Sequence, residues 1–283
     1  MADTAVSGTV TATAPVEQRR DGPFVRNVRA AMMVWRRDLI RLFRMPTRLI
    51  SGIAQPLLFL FVLGAGLESA IGNRGAAGVD YQAYLFPGIL AMSVLTSALF
   101  SSMAIVWDRE FGFMREMLVA PVSRATLVLG KALGGGTVSV VQGVVLVAVA
   151  PVVGVSLGLG SFFAMLGLLL LLAFSLTAFG IVIASRMQRM ESFQMVMALV
   201  MQPMLFLSGA IFPLVALPEW LGVVTRLNPA TYGVDAIRRV VLPSAAPLTL
   251  FDWVVPIWAD ALITLSFGAV MLTLAVKLFA KTE

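Results

Sequence analysis

Histidine and cysteine are both absent from this chain. Imidazole acid–base chemistry, thiol nucleophiles, disulfides and Cys/His metal sites are therefore excluded. Carboxylates, lysines and serines remain. Lys131 and Ser139 stand two turns apart on one apolar run, the lysine near its end, and do not make a Ser–Lys dyad. Leu129-Gly130-Lys131-Ala132 is the nearest approach to a phosphate-binding loop. It lacks the upstream glycine and the Ser/Thr after lysine that such a loop uses to cradle phosphates. Asp260 is the main ionisable group within an apolar run. It suits either an ion-handling carboxylate or a place at a membrane interface beside Trp253 and Trp258. The residues thus assign this chain no catalytic group, metal or cofactor.

What remains is docking chemistry. The stretch from Asp108 to Arg124 is the densest charged island between two long apolar runs, with Asp108, Arg109, Glu110, Arg115, Glu116 and Arg124. Phe111, Met114 and Leu118 recur at helical spacing, with Phe113 and Met117 beside them. Asp108 and Glu110 fall where a helix N-terminus would favour acidic groups, and Pro121 stops the helix. The pattern predicts a short amphipathic helix at a membrane surface; a solvated loop is the alternative.

Uncharged polar residues mark other faces. Ser93, Ser97 and Ser101 lie four apart, with Thr96 and Ser102 nearby. Gln194, Met197, Met201, Met204 and Ser208 share a face of a later run, and Gln55 lies on the first. Methionine adapts to varied apolar ligands, so these are candidates for a substrate path. Serine stripes also pack helices closely, and methionines also fill cores. Gly134-Gly135-Gly136 suggests close helix approach ahead of gating.

These features sit on a chain of 283 residues, 59% hydrophobic and 13% charged, with a mean hydropathy of +0.93. Soluble domains are about 45–50% apolar and about 25% charged. The class is all-α integral membrane. Six runs can cross about 30 Å of hydrocarbon: 49–67, 84–107, 125–153, 159–185, 192–214 and 254–278. Residues 1–23 read as a disordered tail, without a signal peptide. Residues 24–46 read as an interfacial amphipathic helix, with Val28, Met32, Trp35, Leu39 and Leu42 on one face and Arg37, Arg41, Arg44 and Arg48 on another. Residues 47–283 form the transmembrane domain. With the N-terminus inside, seventeen of the 21 Lys and Arg residues fall on one side. Both termini and the island are then cytoplasmic. The +6 net charge serves orientation and lipid contact and does not imply nucleic-acid binding. Between the last two runs, 217–221 and 228–238 read as two short half-membrane helices, tolerated only where protein or water satisfies their backbone.

The island, Glu110-Phe111-Gly112 through Arg115-Glu116-Met117-Leu118-Val119-Ala120-Pro121-Val122-Ser123-Arg124, resembles that of ABC-2 type permeases, especially the daunorubicin-resistance-like drug and lipid exporter branch. Leu207-Ser208-Gly209-Ala210-Ile211-Phe212-Pro213 and Asn228-Pro229 with Asp235-Ala236-Ile237-Arg238 fit the same pattern. The resemblance covers the chain after about residue 24. It implies that the island is a cytoplasmic coupling helix between spans two and three, with Arg109, Glu110, Phe111, Gly112, Phe113, Met114, Arg115, Glu116 and Pro121 meeting an ATP-binding cassette subunit. It implies two copies of each chain, with ATP and Mg on the partner. It implies re-entrant outer helices between spans five and six, and an outer gate including Gly209, Phe212, Pro213, Asn228 and Pro229. The expected function is ATP-driven export of amphiphilic drugs or lipids across a bacterial inner membrane, with lipids as neighbours. A polysaccharide or glycolipid exporter is the alternative within the class; an ion-coupled carrier, which would bury more charge, is the alternative outside it.

Overall fold

The computed structural model describes residues 22–66, 81–112, 123–211, 218–243, 245–250 and 253–281. Phe113, Met114, Arg115, Glu116 and Pro121 of the island lie outside them, as do Phe212 and Pro213.

Helix α1 spans Pro23–Arg44 and begins with proline at its first position, where a missing N–H costs nothing. Helix α2, Pro46–Leu58, contains Pro56 and runs into a π-helical turn at Phe59–Leu63. Proline removes one N–H from the ladder, and a wide turn is a common way to absorb such a defect. Helix α3, Tyr81–Ser101, and helix α4, Met103–Glu110, form one nearly continuous rod broken at Ser102. Ser101 and Ser102 donate to the carbonyls of Ala98 and Leu99, and such back-bonding bends helices.

Helix α5 spans Arg124–Val147 and is capped by Ser123, whose hydroxyl accepts from the N–H of Thr126. The run expected to reach residue 153 ends sooner, in a 3₁₀ turn at Ala150–Val153. Helix α6 spans Leu159–Arg186, and helix α7 spans Met190–Phe206. Two short helices follow, α8 at Glu219–Leu227 and α9 at Pro229–Val241. A two-residue antiparallel pair, β1 at Thr249–Leu250 and β2 at Trp253–Val254, leads into helix α10 at Ile257–Lys281. That pair was not anticipated from the sequence.

Among the described residues, five helical stretches are long and apolar enough to cross a membrane: Leu49–Gly66, Tyr81–Glu110, Arg124–Val147, Leu159–Arg186 and Ile257–Phe279. Helix α7, where a sixth was expected, has 17 residues. At 1.5 Å per residue it is about 25 Å long, a little less than the hydrocarbon thickness of about 30 Å.

Helix α3 is central, buried along most of its length by α5, α6, α7 and α9. Its sequence is accordingly mostly apolar, with the small hydroxyl residues Ser93, Thr96, Ser97 and Ser101 among its few polar positions. The glycine run of α5 permits three different approaches. A Cβ on Gly134 would lie 2.5 Å from an Asp38 carboxylate oxygen of α1. One on Gly135 would lie 2.2 Å from the Ser101 hydroxyl of α3, and one on Gly136 would meet the backbone of Phe174 in α6 at 3.5 Å. Successive residues of a helix point about a third of a turn apart, so three adjacent glycines face three neighbours.

Candidate coupling site

The first half of the island is not the start of a new helix. Asp108, Arg109 and Glu110 form the last turn of α4, which ends with Phe111 as cap and Gly112 at φ 80°. Acidic groups at a helix C-terminus oppose the helix dipole, so the expected N-terminal placement is corrected. The structure offsets that cost by giving each charge a partner on another element.

Asp108 accepts from the Lys131 ammonium of α5 at 2.6 Å, and Arg37 of α1 stands 3.6 Å from the same carboxylate oxygen. Lys131 and Asp108 are largely shielded, with side-chain exposures of 8% and 13%. Lysine at this depth requires an acidic partner. Arg37 also approaches Asp38 at 3.6 Å.

Arg109 and Glu110 hold opposite sides of one corner. The Arg109 guanidinium donates to the carbonyls of Ala184, Ser185 and Met187, at 3.3, 3.2 and 2.7 Å. Ala184 and Ser185 lie in the last turn of α6, and Met187 is its C-cap. The Glu110 carboxylate accepts from the N–H of Met190 at 3.0 Å, the first residue of α7. A cation thus caps a helix C-terminus and an anion caps a helix N-terminus, each with the favourable dipole sign. Phe111 and Gly112 are exposed.

Helix α1 is fastened to the same region. Trp35 donates to the Thr137 hydroxyl at 3.1 Å, Arg41 lies over the Trp107 ring at 5.4 Å, and Asn27 accepts from the Ser123 N–H. The expected apolar face of α1 therefore divides: Leu42 is buried, Trp35 and Leu39 are half-buried, and Val28 and Met32 are exposed. Arg37 and Arg41 point to chain partners, which the helical period of α1 alone could not show.

The candidate path residues are dispersed. Ser93 is buried, Ser97 accepts from Ser139 at 3.1 Å, and Ser101 faces Gly135. Ser97 and Ser101 of this stripe pack α3 against α5. Met197, Met204 and Ser208 are buried, and Met201 is half-buried against the core. Gln55 and Gln194 are exposed. The open side of α7 carries Gln194, Met195, Ala198, Leu199, Gln202 and Phe206. Gln202, two turns after Gln194, was missed by the sequence reading; its spacing from Gln194 was the available signal.

Of the predicted gate residues, Gly209, Asn228 and Pro229 are described, and they lie around the end of α7. Gly209 turns the chain at φ 72°. Arg238 donates to the carbonyls of Gly209 and Ala210 at 2.6 and 3.2 Å and lies 4.5 Å over the Tyr84 ring. Asn228 caps α9 through the N–H of Ala230 and donates to the Met204 carbonyl at 2.7 Å. Thr231 donates to the Leu207 carbonyl. Pro229 opens α9. Side chains of α9 and its cap thus satisfy carbonyls that α7 leaves open.

Residues 29–242 match the family described as ABC-2 type transporter. The chain is 34% identical over 209 residues to the putative transport permease ycf38 of Cyanophora paradoxa, covering 72% of this chain and 71% of that protein. It is 32% identical over 212 residues to nodulation protein J of Rhizobium leguminosarum bv. trifolii, covering 74% and 80%. The chain belongs to the ABC-2 type transporter family: it is a multi-pass membrane permease without a nucleotide site of its own, and its family implies an ATP-binding cassette partner.

Proposed function

We infer that this chain is the membrane half of an ATP-driven exporter, and that residues 108–124 receive the motion of the cassette subunit. The arrangement of Asp108, Arg109 and Glu110 supports this most directly. Three consecutive residues reach α5, α6 and α7, so displacement of the chain immediately after Gly112 is felt by three helices together. Phe111, exposed at the junction, leads into Phe113, Met114, Arg115, Glu116 and Pro121, which we assign to the cassette contact. ATP and Mg belong to that partner.

The assembly we propose has two copies of this chain and two cassettes in a bacterial inner membrane, with both termini cytoplasmic. Helix α1 lies at the cytoplasmic interface. Helix α7 is the fifth of six spans, and α8 and α9 dip in from the outer face between it and α10. The open sides of α2 and α7, apolar with isolated amides at Gln55, Gln194 and Gln202, suit a second copy and an amphiphilic substrate between the copies. Amides without fixed charge can orient a headgroup without the desolvation cost of an ion.

The test is efflux of a lipophilic cationic dye and outward movement of a labelled lipid, in cells carrying this chain with and without its cassette partner. Export should require both. Undiminished export without any cassette protein would overturn the proposal.

A further inference from the structure

Asp260 is completely buried in the first turn of α10, and its Oδ1 has no hydrogen-bond partner. Its other oxygen meets the guanidinium of Arg239 on α9. The same Arg239 nitrogen lies 2.7 Å from Asp235, one turn earlier on α9. Two carboxylates therefore converge on one guanidinium nitrogen. With both ionised the cluster carries a net −1 charge away from water. Like charges at this separation do not both ionise readily.

Among the described residues, the further charge that bears on Asp235 is that of Arg238. On α9, Arg238 points away to the carbonyls of Gly209 and Ala210 and to the Tyr84 ring, with Tyr81 beyond. Tyr232 donates to the Arg226 carbonyl of α8. Among the described residues before α10, the Leu248 N–H donates to Asp235 and the Val255 carbonyl accepts from Arg239. Helix α6 contributes Ser175, which bonds the Thr264 carbonyl. Burial pushes the Asp235 carboxyl above the ordinary carboxylate range, with the Arg239 charge opposing.

We propose that Asp235 and Asp260 form a shared proton-binding site that latches α9 to α10. One proton converts one carboxylate to a carboxylic acid, whose O–H donates to the other carboxylate while Arg239 remains charged. The cluster becomes neutral. Loss of the proton restores the negative charge and loosens the two helices. The placement of this latch at the outer face rests on the reading above; the proton site itself does not.

The full chain, in lipid nanodiscs with carbon-13-labelled aspartate, is examined by infrared spectroscopy at about pH 6, roughly two units above the free aspartate value of about 3.9. An aspartic-acid C=O band is expected in the wild type and should disappear in Asp260→Asn. If that variant does not fold, Asp235→Asn takes its place. Absence of the band in the wild type overturns the site without recourse to any variant. Backbone hydrogen exchange across α9, corrected for intrinsic rates, should increase about tenfold between about pH 5.5 and about pH 8 in the wild type. It should be level in Asp260→Asn. A band with pH-independent wild-type exchange would overturn the latch. Neither measurement uses a cassette or a substrate, so failure of the transport reading would be seen separately.

Discussion

Arg109 donates to the carbonyl of Met187 at 2.7 Å, joining residues 78 positions apart. Through this contact the end of α4 grips the corner between α6 and α7, and Glu110 completes the grip from the other side. The corner is therefore set by side chains of a different span, in addition to its own short connection.

Arg109→Ala should destabilise the solubilised permease by about 2–3 kcal/mol, since it removes charged donors from three carbonyls. Arg109→Lys should recover only part of this, because an ammonium lacks the planar fork. Thermal unfolding of the two variants beside wild type checks the order.

The Asp108–Lys131 pair should behave non-additively. Asp108→Asn or Lys131→Met alone leaves a shielded charge with a diminished set of partners and should cost about 3–5 kcal/mol. The double variant should cost less than the sum of the singles. A double-mutant cycle on unfolding free energy measures the coupling.

Glu116→Lys or Arg115→Glu should leave the chain inserted while separating cassette ATPase from export. Co-purification of the cassette and substrate-stimulated ATPase are read together. Normal values of both would remove these residues from the coupling role.

Gly135→Ala should be destabilising by about 1–3 kcal/mol through overpacking, since its Cβ would meet Ser101 at 2.2 Å and Thr177 at 2.8 Å. Shortening the closest neighbour with Ser101→Ala should restore part of the loss. Unfolding of the single and double variants decides it.

The sequence was most informative where a single local rule applied. Helix α6 was expected at 159–185 and is observed at Leu159–Arg186, because nothing interrupts its apolar run. Asn228-Pro229 marked a helix start that the structure confirms as a capped N-terminus. Periodicity was less able to choose between faces on a helix apolar all round. In α7 it grouped Gln194 with Met197 and Met204, yet Gln194 is exposed and the two methionines are buried. The partners of Asp108, Arg109 and Glu110 were hidden for another reason. They lie 23 to 80 residues distant, where helical spacing carries no information. Asp260 was open between two settings; its burial against Arg239 follows from the packing of α9 on α10, which no local pattern encodes.

The carbonyls at the end of α7 bear on how the protein is made. Met204, Leu207, Gly209 and Ala210 obtain donors from Asn228, Thr231 and Arg238. During synthesis those donors emerge some 24 to 29 residues later. Until then these carbonyls need water or a chaperoning surface, because lipid offers them no donor. Helix α7 therefore reaches its final seat only after α9 has been translated, and a chain stopped between the two would present the insertion machinery with an unfinished helix end.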